Sequence, residues 1–392
     1  MDILSKCYEF TAAREAIAGG YYPYFIPLED TEGTEVVIDG HRLVMIGSNN
    51  YLGLTTDPRV RKAAMDAVAK YGPSCTGSRF LNGTLTIHVE LERRLAEFVG
   101  KEAALVFSTG YQSNLGAISA VVGRGDCVIT DREDHASIID ACMLSRGEMK
   151  RFQHNDMSSL ERVLAGCDED AGKLVVVDGV YSMGGDLAPL PGMVEVCKKH
   201  GARLMVDDAH GLGVLAGGRG TCAHFGVTED VDLIMGTFSK SFASLGGFIA
   251  GDDQVIHYIQ HMARSLIFSA SAPPSNVAAA AAALTIMIAE PERSERLLAI
   301  AARMRSEYTR MGFNVGNTET PIIPIYIGDD EATIMSWKAL FDAGVYTNCV
   351  IPPGVPAGKS LLRTSYMATH TDEQMDRVLE TFQAVGKAIG LI

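Results

Sequence analysis

From about residue 46 onward, short apolar runs alternate with longer amphipathic stretches: LVMIG, ALVFSTG, CVITD, LVVVDGVYS, RLMVDDAH, DLIMGTFSK and GGFIAG, with helical segments between most of them. Runs this short, each bounded by turn residues, predict strands, and strands separated by helices predict an α/β domain with a mainly parallel sheet sandwiched by helices. Ahead of this region a helical pattern from Phe10 to Ile17 breaks at Gly19 and Gly20 and leads into Tyr21, Tyr22, Pro23, Tyr24 and Phe25. Residues 1–45 therefore read as an arm that packs on something, and residues 46–272 as the large domain. Pro273 and Pro274 open an alanine-rich helix running through Met287, after which helices and the strands IIPIYIG and SLLRTSYM predict a smaller α+β domain over 273–392. No segment repeats and none is of low complexity.

Composition narrows the function classes. With 392 residues, 47% of them hydrophobic, the chain has material for two packed units. A net charge of −14 excludes the clustered basic surface that phosphate neutralisation needs, so no nucleic-acid partner is expected. Eight cysteines are scattered with no CxxC pair, which predicts reduced thiols and a cytoplasmic protein. No apolar stretch approaches the ~20 residues of a membrane span; a peripheral membrane contact stays open.

Several predicted strands end in residues able to do chemistry, and ligands of open α/β sheets bind beyond the carboxyl ends of the strands. In VDDAH, Asp207 and His210 follow the apolar run RLM. A buried carboxylate there suits a pyridinium nitrogen, whose retained proton makes pyridoxal 5′-phosphate (PLP) an electron sink. In GTFSK, Lys240 follows DLIM and precedes a run of small residues, a setting for a Schiff-base lysine that can afterwards move protons at Cα. The segment FSTGYQSN places Gly110 and Tyr111 at a helix start, where free N–H groups bind phosphate. His135, after the strand CVITD, can cover a flat ring, and Ser182 and Thr237 bring hydroxyls to two further strand ends.

The order TGY, DHAS, DGVYSM, VDDAH, GTFSK resembles the α-oxoamine synthase family of fold-type I PLP enzymes over nearly the whole chain. The resemblance implies an aspartate aminotransferase-like fold and a homodimer with shared active sites. The activity it implies joins an amino acid to an acyl-CoA with loss of CO2. It is fullest, through SRFLNGT, VFSTGYQSNLG, RFQHN, VYSMGGDLAPL and SASAPPS, for the branch that uses L-serine and a long-chain acyl-CoA. Carried over by position, Lys240 forms the Schiff base, Asp207 holds the pyridinium nitrogen, His135 stacks on the ring and assists catalysis, and His210 with Ser182 holds the phenolic oxygen. Gly110, Tyr111 and Thr237 would hold the phosphate, joined by Ser269 and Ala270 from the neighbouring subunit. Asn50 and Arg363 would orient the amino acid, Arg363 through its carboxylate.

The chain departs from that branch in VIPPGVPAGKSLLR, where Ile351 stands at the position of a second arginine, and in CTGSR around Thr76. Serine as against glycine or alanine is therefore open, as are acyl length and CoA as against a carrier protein. A non-catalytic regulatory subunit goes, in this family, with loss of the lysine, and Lys240, Asp207 and His135 are all present. Three other patterns lead nowhere. GLGVLA runs into further glycines instead of a helix. Ser182 lacks the glycine of a nucleophile elbow. His88 and Glu92 share a helix face without a third ligand, so no metal is expected.

Overall fold

Six of the apolar runs become strands of one sheet in a computed structural model that describes residues 2–392. These are β1 (Ala103–Phe107), β2 (Cys127–Asp131), β4 (Lys173–Asp178), β5 (Arg203–Asp207), β6 (Leu233–Thr237) and β7 (Gly247–Gly251), with β3 (Glu148–Phe152) as a seventh. The order is β1-β7-β6-β5-β4-β2-β3. β7 runs antiparallel to both its neighbours, and the other pairings are parallel. Strands β2, β6 and β7 are buried along their whole length, which is why they read as continuous apolar runs without alternation. β3 was not foreseen: in EMKRF only Phe152 is buried, as befits an edge strand with one side in solvent.

The longer helices before, between and after these strands are α1 (Pro58–Tyr71), α2 (Thr86–Val99), α3 (Gly110–Val121), α4 (Ala136–Leu144), α5 (Met157–Ala165), α6 (Leu190–His200), α7 (Asp253–Met262) and α8 (Pro274–Ala289). Local signals fix their starts. Asp57 caps α1 through the N–H of Arg59 with Pro58 at the first position, and Thr109 caps α3 through the N–H of Gln112 at 3.1 Å. Apolar faces of β1, β2, β4 to β7, α3, α4 and α7 close one core around Phe107, Ile118, Val128 and Ile249.

Asn49–Ala299 make one unit; the described residues up to Ser48 and Ile300–Ile392 make the other. This corrects two expectations. Helix α8, assigned from sequence to the small domain, belongs to the large unit, where its small side chains let it lie along α1. The run LVMIG does not join the large sheet. His41–Met45 pairs with Glu35–Ile38 and Val345–Tyr346 in a four-stranded sheet, because Leu43 and Met45 share a core with Val36, Ile38 and Met367. The same unit holds an antiparallel sheet of Ile322–Gly328, Ser360–Ser365 and Asn348–Val350. Of the described residues before this sheet, Ile26 packs on that shared core, while Tyr8, Phe10 and Phe25 remain exposed.

A buried ion pair ties α2 to the strand that leads into the site. Arg79 meets Glu92 through two hydrogen bonds of 2.7 and 3.0 Å, and Glu92 also accepts from the N–H of Val106 in β1. The two side chains are 6% and 13% exposed, so neither charge is left to water. Arg79→Met is expected to lower the unfolding free energy by about 3–5 kcal/mol by stranding the carboxylate, as measured by urea denaturation. His88, one turn away, accepts from the N–H of Leu85 and hydrogen-bonds the carbonyl of Ala272 at 3.1 Å. Burial, and then the charge of Arg79, lower its imidazole to about 4. His88 and Glu92 thus serve different structural partners.

Candidate active site

Eight of the residues expected at the site line one cavity of about 240 Å³ at the carboxyl ends of the large sheet: Gly110, Tyr111, His135, Ser182, Asp207, His210, Thr237 and Lys240. Asp207 ends β5 and Thr237 ends β6, its parallel neighbour, with Lys240 three residues further on. A larger hollow of about 730 Å³ lies at the opposite ends of the strands, beside Cys127, Lys173 and Leu233. Arg203 and Asp232 pair there at 2.7 Å, and none of the residues expected at the site lines it.

The Asp207 carboxylate is buried and fixed at both oxygens. Oδ1 accepts from the N–H of Ala209 at 3.1 Å and Oδ2 from the amide of Asn114 at 2.7 Å. The same amide donates to Ser137, whose hydroxyl is 2.8 Å from Nδ1 of His135. Nδ1 of His135 also accepts from the N–H of Ser137, capping α4. The side chain lines the cavity and is exposed there. Burial lowers its pKa, Asp207 opposes that and Lys240 adds to it, in keeping with an acceptor Nδ1.

Asp178 is pushed well up by burial first and then by Asp207 and Asp134, with Lys240 opposing. Its Oδ2 accepts from the N–H of His135 at 3.1 Å, so the histidine is held from its backbone as well as its ring. On the other side of the cavity the hydroxyl of Tyr51 lies 2.6 Å from Nδ1 of His210.

Gly110 starts α3, and its N–H and that of Tyr111 have no carbonyl one turn back within the helix to accept them. A Cβ at residue 110 would lie 2.7 Å from Oγ1 of Thr237. Glycine alone lets this helix start come so near the end of β6. A lysine, a fixed carboxylate, an imidazole, hydroxyls and an open helix N-terminus around one cavity are the donors and acceptors that an aldehyde, a pyridine nitrogen, an aromatic ring and a phosphate require. The residues present therefore fit PLP.

The remaining four expected residues lie elsewhere. Ser269 accepts from the side-chain amide of Gln112 at 2.9 Å and the carbonyl of Ala270 accepts from Ser108, so both sit beside the start of α3 in their own chain, outside the cavity lining. Asn50 is buried and donates to Thr55 at 2.8 Å. Arg363 is buried in Ser360–Ser365 of the other unit, in register with Asn348 and Pro324. Asn114, Ser137, Asp178 and Tyr51 were missed. Asn114 carried a signal, a buried amide one turn past Gly110 in a helix whose later residues are small and apolar. The others became meaningful only through contacts distant in sequence.

The pattern of the aminotransferase class I and II family matches residues 42–382. A serine palmitoyltransferase of Sphingobacterium spiritivorum is 52% identical over 96% of this chain and 95% of its own. An 8-amino-7-oxononanoate synthase of Geobacter sulfurreducens is 43% identical over 95% and 96%. Among solved structures, serine palmitoyltransferase with PLP superposes with a TM-score of 0.97 at 41% identity, each chain covered completely. The chain has the fold-type I fold of PLP-dependent transferases. It belongs to the aminotransferase class I and II family, and within it to the α-oxoamine synthases, the group that includes the serine palmitoyltransferases.

Proposed function

We propose that this chain is a PLP-dependent acyltransferase that condenses L-serine with palmitoyl-CoA or a similar long-chain thioester, giving 3-ketodihydrosphingosine, CoA and CO2, the entry step of sphingolipid synthesis. The observation that carries this reading is the meeting of Lys240, the doubly anchored Asp207, His135 and the Gly110 helix start at one cavity. Bound PLP supplies an electron sink for bonds at the amino acid's Cα. Lys240 would hold the cofactor covalently, and its free amine would serve as the base for the Cα proton. Asp207, fixed by Asn114 and Ala209, holds a proton on the ring nitrogen. His135 would lie against the ring, and Ser182 and His210 would bind the phenolic oxygen, with Tyr51, 2.6 Å from Nδ1 of His210, orienting the latter.

The N–H groups of Gly110 and Tyr111 and the Thr237 hydroxyl would hold the phosphate. In this reading Ser269 and Ala270 reach the phosphate of the second subunit in a homodimer, and Asn50 and Arg363 orient the amino acid. In this reading the enzyme works in the cytoplasm, where its eight free cysteines stay reduced; among the described residues no helix is long and apolar enough to cross a membrane.

Ile351, half-buried in the loop after Asn348–Val350, favours one alternative, a related enzyme that takes glycine or alanine. Titration of the holoenzyme's visible spectrum with serine, glycine and alanine, followed by product analysis with palmitoyl-CoA, separates the two. Serine is expected to shift the spectrum at the lowest concentration and to yield the amino-ketone bearing its hydroxymethyl group. A lower half-saturation by glycine or alanine, with the corresponding ketone as product, would replace serine as the substrate.

A further inference from the structure

His154 lies in the turn after the edge strand β3, outside the cavity lining, and no step above uses it. Its ring stands edge-on to Tyr181 with centroids 4.4 Å apart. Nδ1 is 3.0 Å from Oδ1 of Asp131, Nε2 is 2.8 Å from Oδ2 of Asp186, and Glu133 approaches Nε2 at 3.8 Å. Asp131 and Glu133 face it from the end of β2, and Asp186 and the Tyr181 phenol from the segment after β4. A neutral imidazole has one N–H and ionised carboxylates only accept, so both short contacts are hydrogen bonds at once only if the ring is an imidazolium. Burial opposes that charge, but the hydrogen bonds to Asp131 and Asp186 outweigh it and raise the imidazole to about 10.

The two carboxylates it joins belong to the two segments that carry site residues. Asp131 stands four residues before His135, and Asp186 four residues after Ser182. From Asp131 the connection runs inward through backbone donors. Its N–H donates to Asp134 at 2.7 Å, Asp134 also accepts from the N–H of Asp178 at 2.9 Å, and Asp178 accepts from the N–H of His135 at 3.1 Å. Asn155 doubles the clamp: in the left-handed region at φ 53°, it donates its N–H to Asp131 and its side-chain amide to Asp186, both at 2.9 Å.

We propose that His154 is a positioning residue that pins the His135 segment to the Ser182 segment and thereby sets both side chains at the cofactor cavity. The proposal rests on reading that cavity as the PLP site. In His154→Gln the two carboxylates lose their shared cation, and the dissociation constant of PLP, measured by reconstitution of the apoenzyme, is expected to rise roughly tenfold. The visible circular dichroism of the bound cofactor should change with it. His154→Arg, which keeps the charge and several donors, should recover part of both. Should His154→Gln fail to fold, Asp186→Asn removes one side of the clamp and is read in the same way.

In the wild-type apoenzyme, nitrogen-15 resonances of labelled histidine should show both ring nitrogens of His154 protonated at pH 8. A neutral ring there, or a folded His154→Gln protein with wild-type PLP affinity and dichroism, overturns the proposal. Failure of the wild type itself to bind PLP would instead refute the reading of the cavity, and the apoenzyme measurement distinguishes the two failures.

Discussion

Lys240→Ala is expected to leave a folded protein that shows only the absorbance of free, dissociable PLP, with turnover reduced by roughly 10²–10⁴-fold or more. Lys240 sits half-buried in the loop after β6, beside the cavity, so losing its side chain opens no hole in the core. On the proposed reading two functions would disappear together, the covalent hold on the cofactor and the amine that takes the Cα proton. Absorbance after gel filtration reads the first, and exchange of the Cα hydrogen of serine in D2O reads the second. A retained band of covalently attached PLP in the variant would place the attachment at another lysine. An added small amine restoring exchange without restoring the covalent hold would show that the two roles are separable.

Asp207→Asn should dissociate differently. Lys240 remains, so PLP is still attached and coloured, but turnover should fall by about three orders of magnitude. A carboxylate about 4 Å from a ring cation at an effective dielectric of ~20 contributes roughly 4 kcal/mol before desolvation, and each 1.36 kcal/mol is about a factor of ten in rate. The isosteric amide cannot keep the native hydrogen bonds. With its oxygen on the N–H of Ala209, its NH2 group faces the NH2 group of Asn114. Reconstitution with PLP methylated at the ring nitrogen, which is cationic without a partner, should recover much of the lost rate. Wild-type turnover in Asp207→Asn would mean that the carboxylate serves packing alone.

Much of this site was legible in one dimension because a parallel sheet writes its chemistry at strand ends. Asp207, Thr237, Lys240 and His135 each follow a buried apolar run by a few residues, and Gly110 marks a strand-to-helix turn. The groups that hold them were less legible. Asn114 is joined to Asp207 across 93 positions, and Tyr51 to His210 across 159. His154 belongs to the segment after β3, a strand whose solvent-facing side chains hid it from an apolar-run reading.

Hydrophobic pattern and residue order by themselves determined the α/β class, the strand ends that carry chemistry and the cofactor, because burial on both faces and the needs of a pyridine, an aldehyde and a phosphate leave a local mark. The placing of LVMIG in a separate sheet, the membership of α8 in the large unit and the carboxylate network around His154 were decided only by tertiary structure. Each depends on which apolar faces meet and on hydrogen bonds between segments far apart in the chain, and neither leaves a periodicity that a sequence can show.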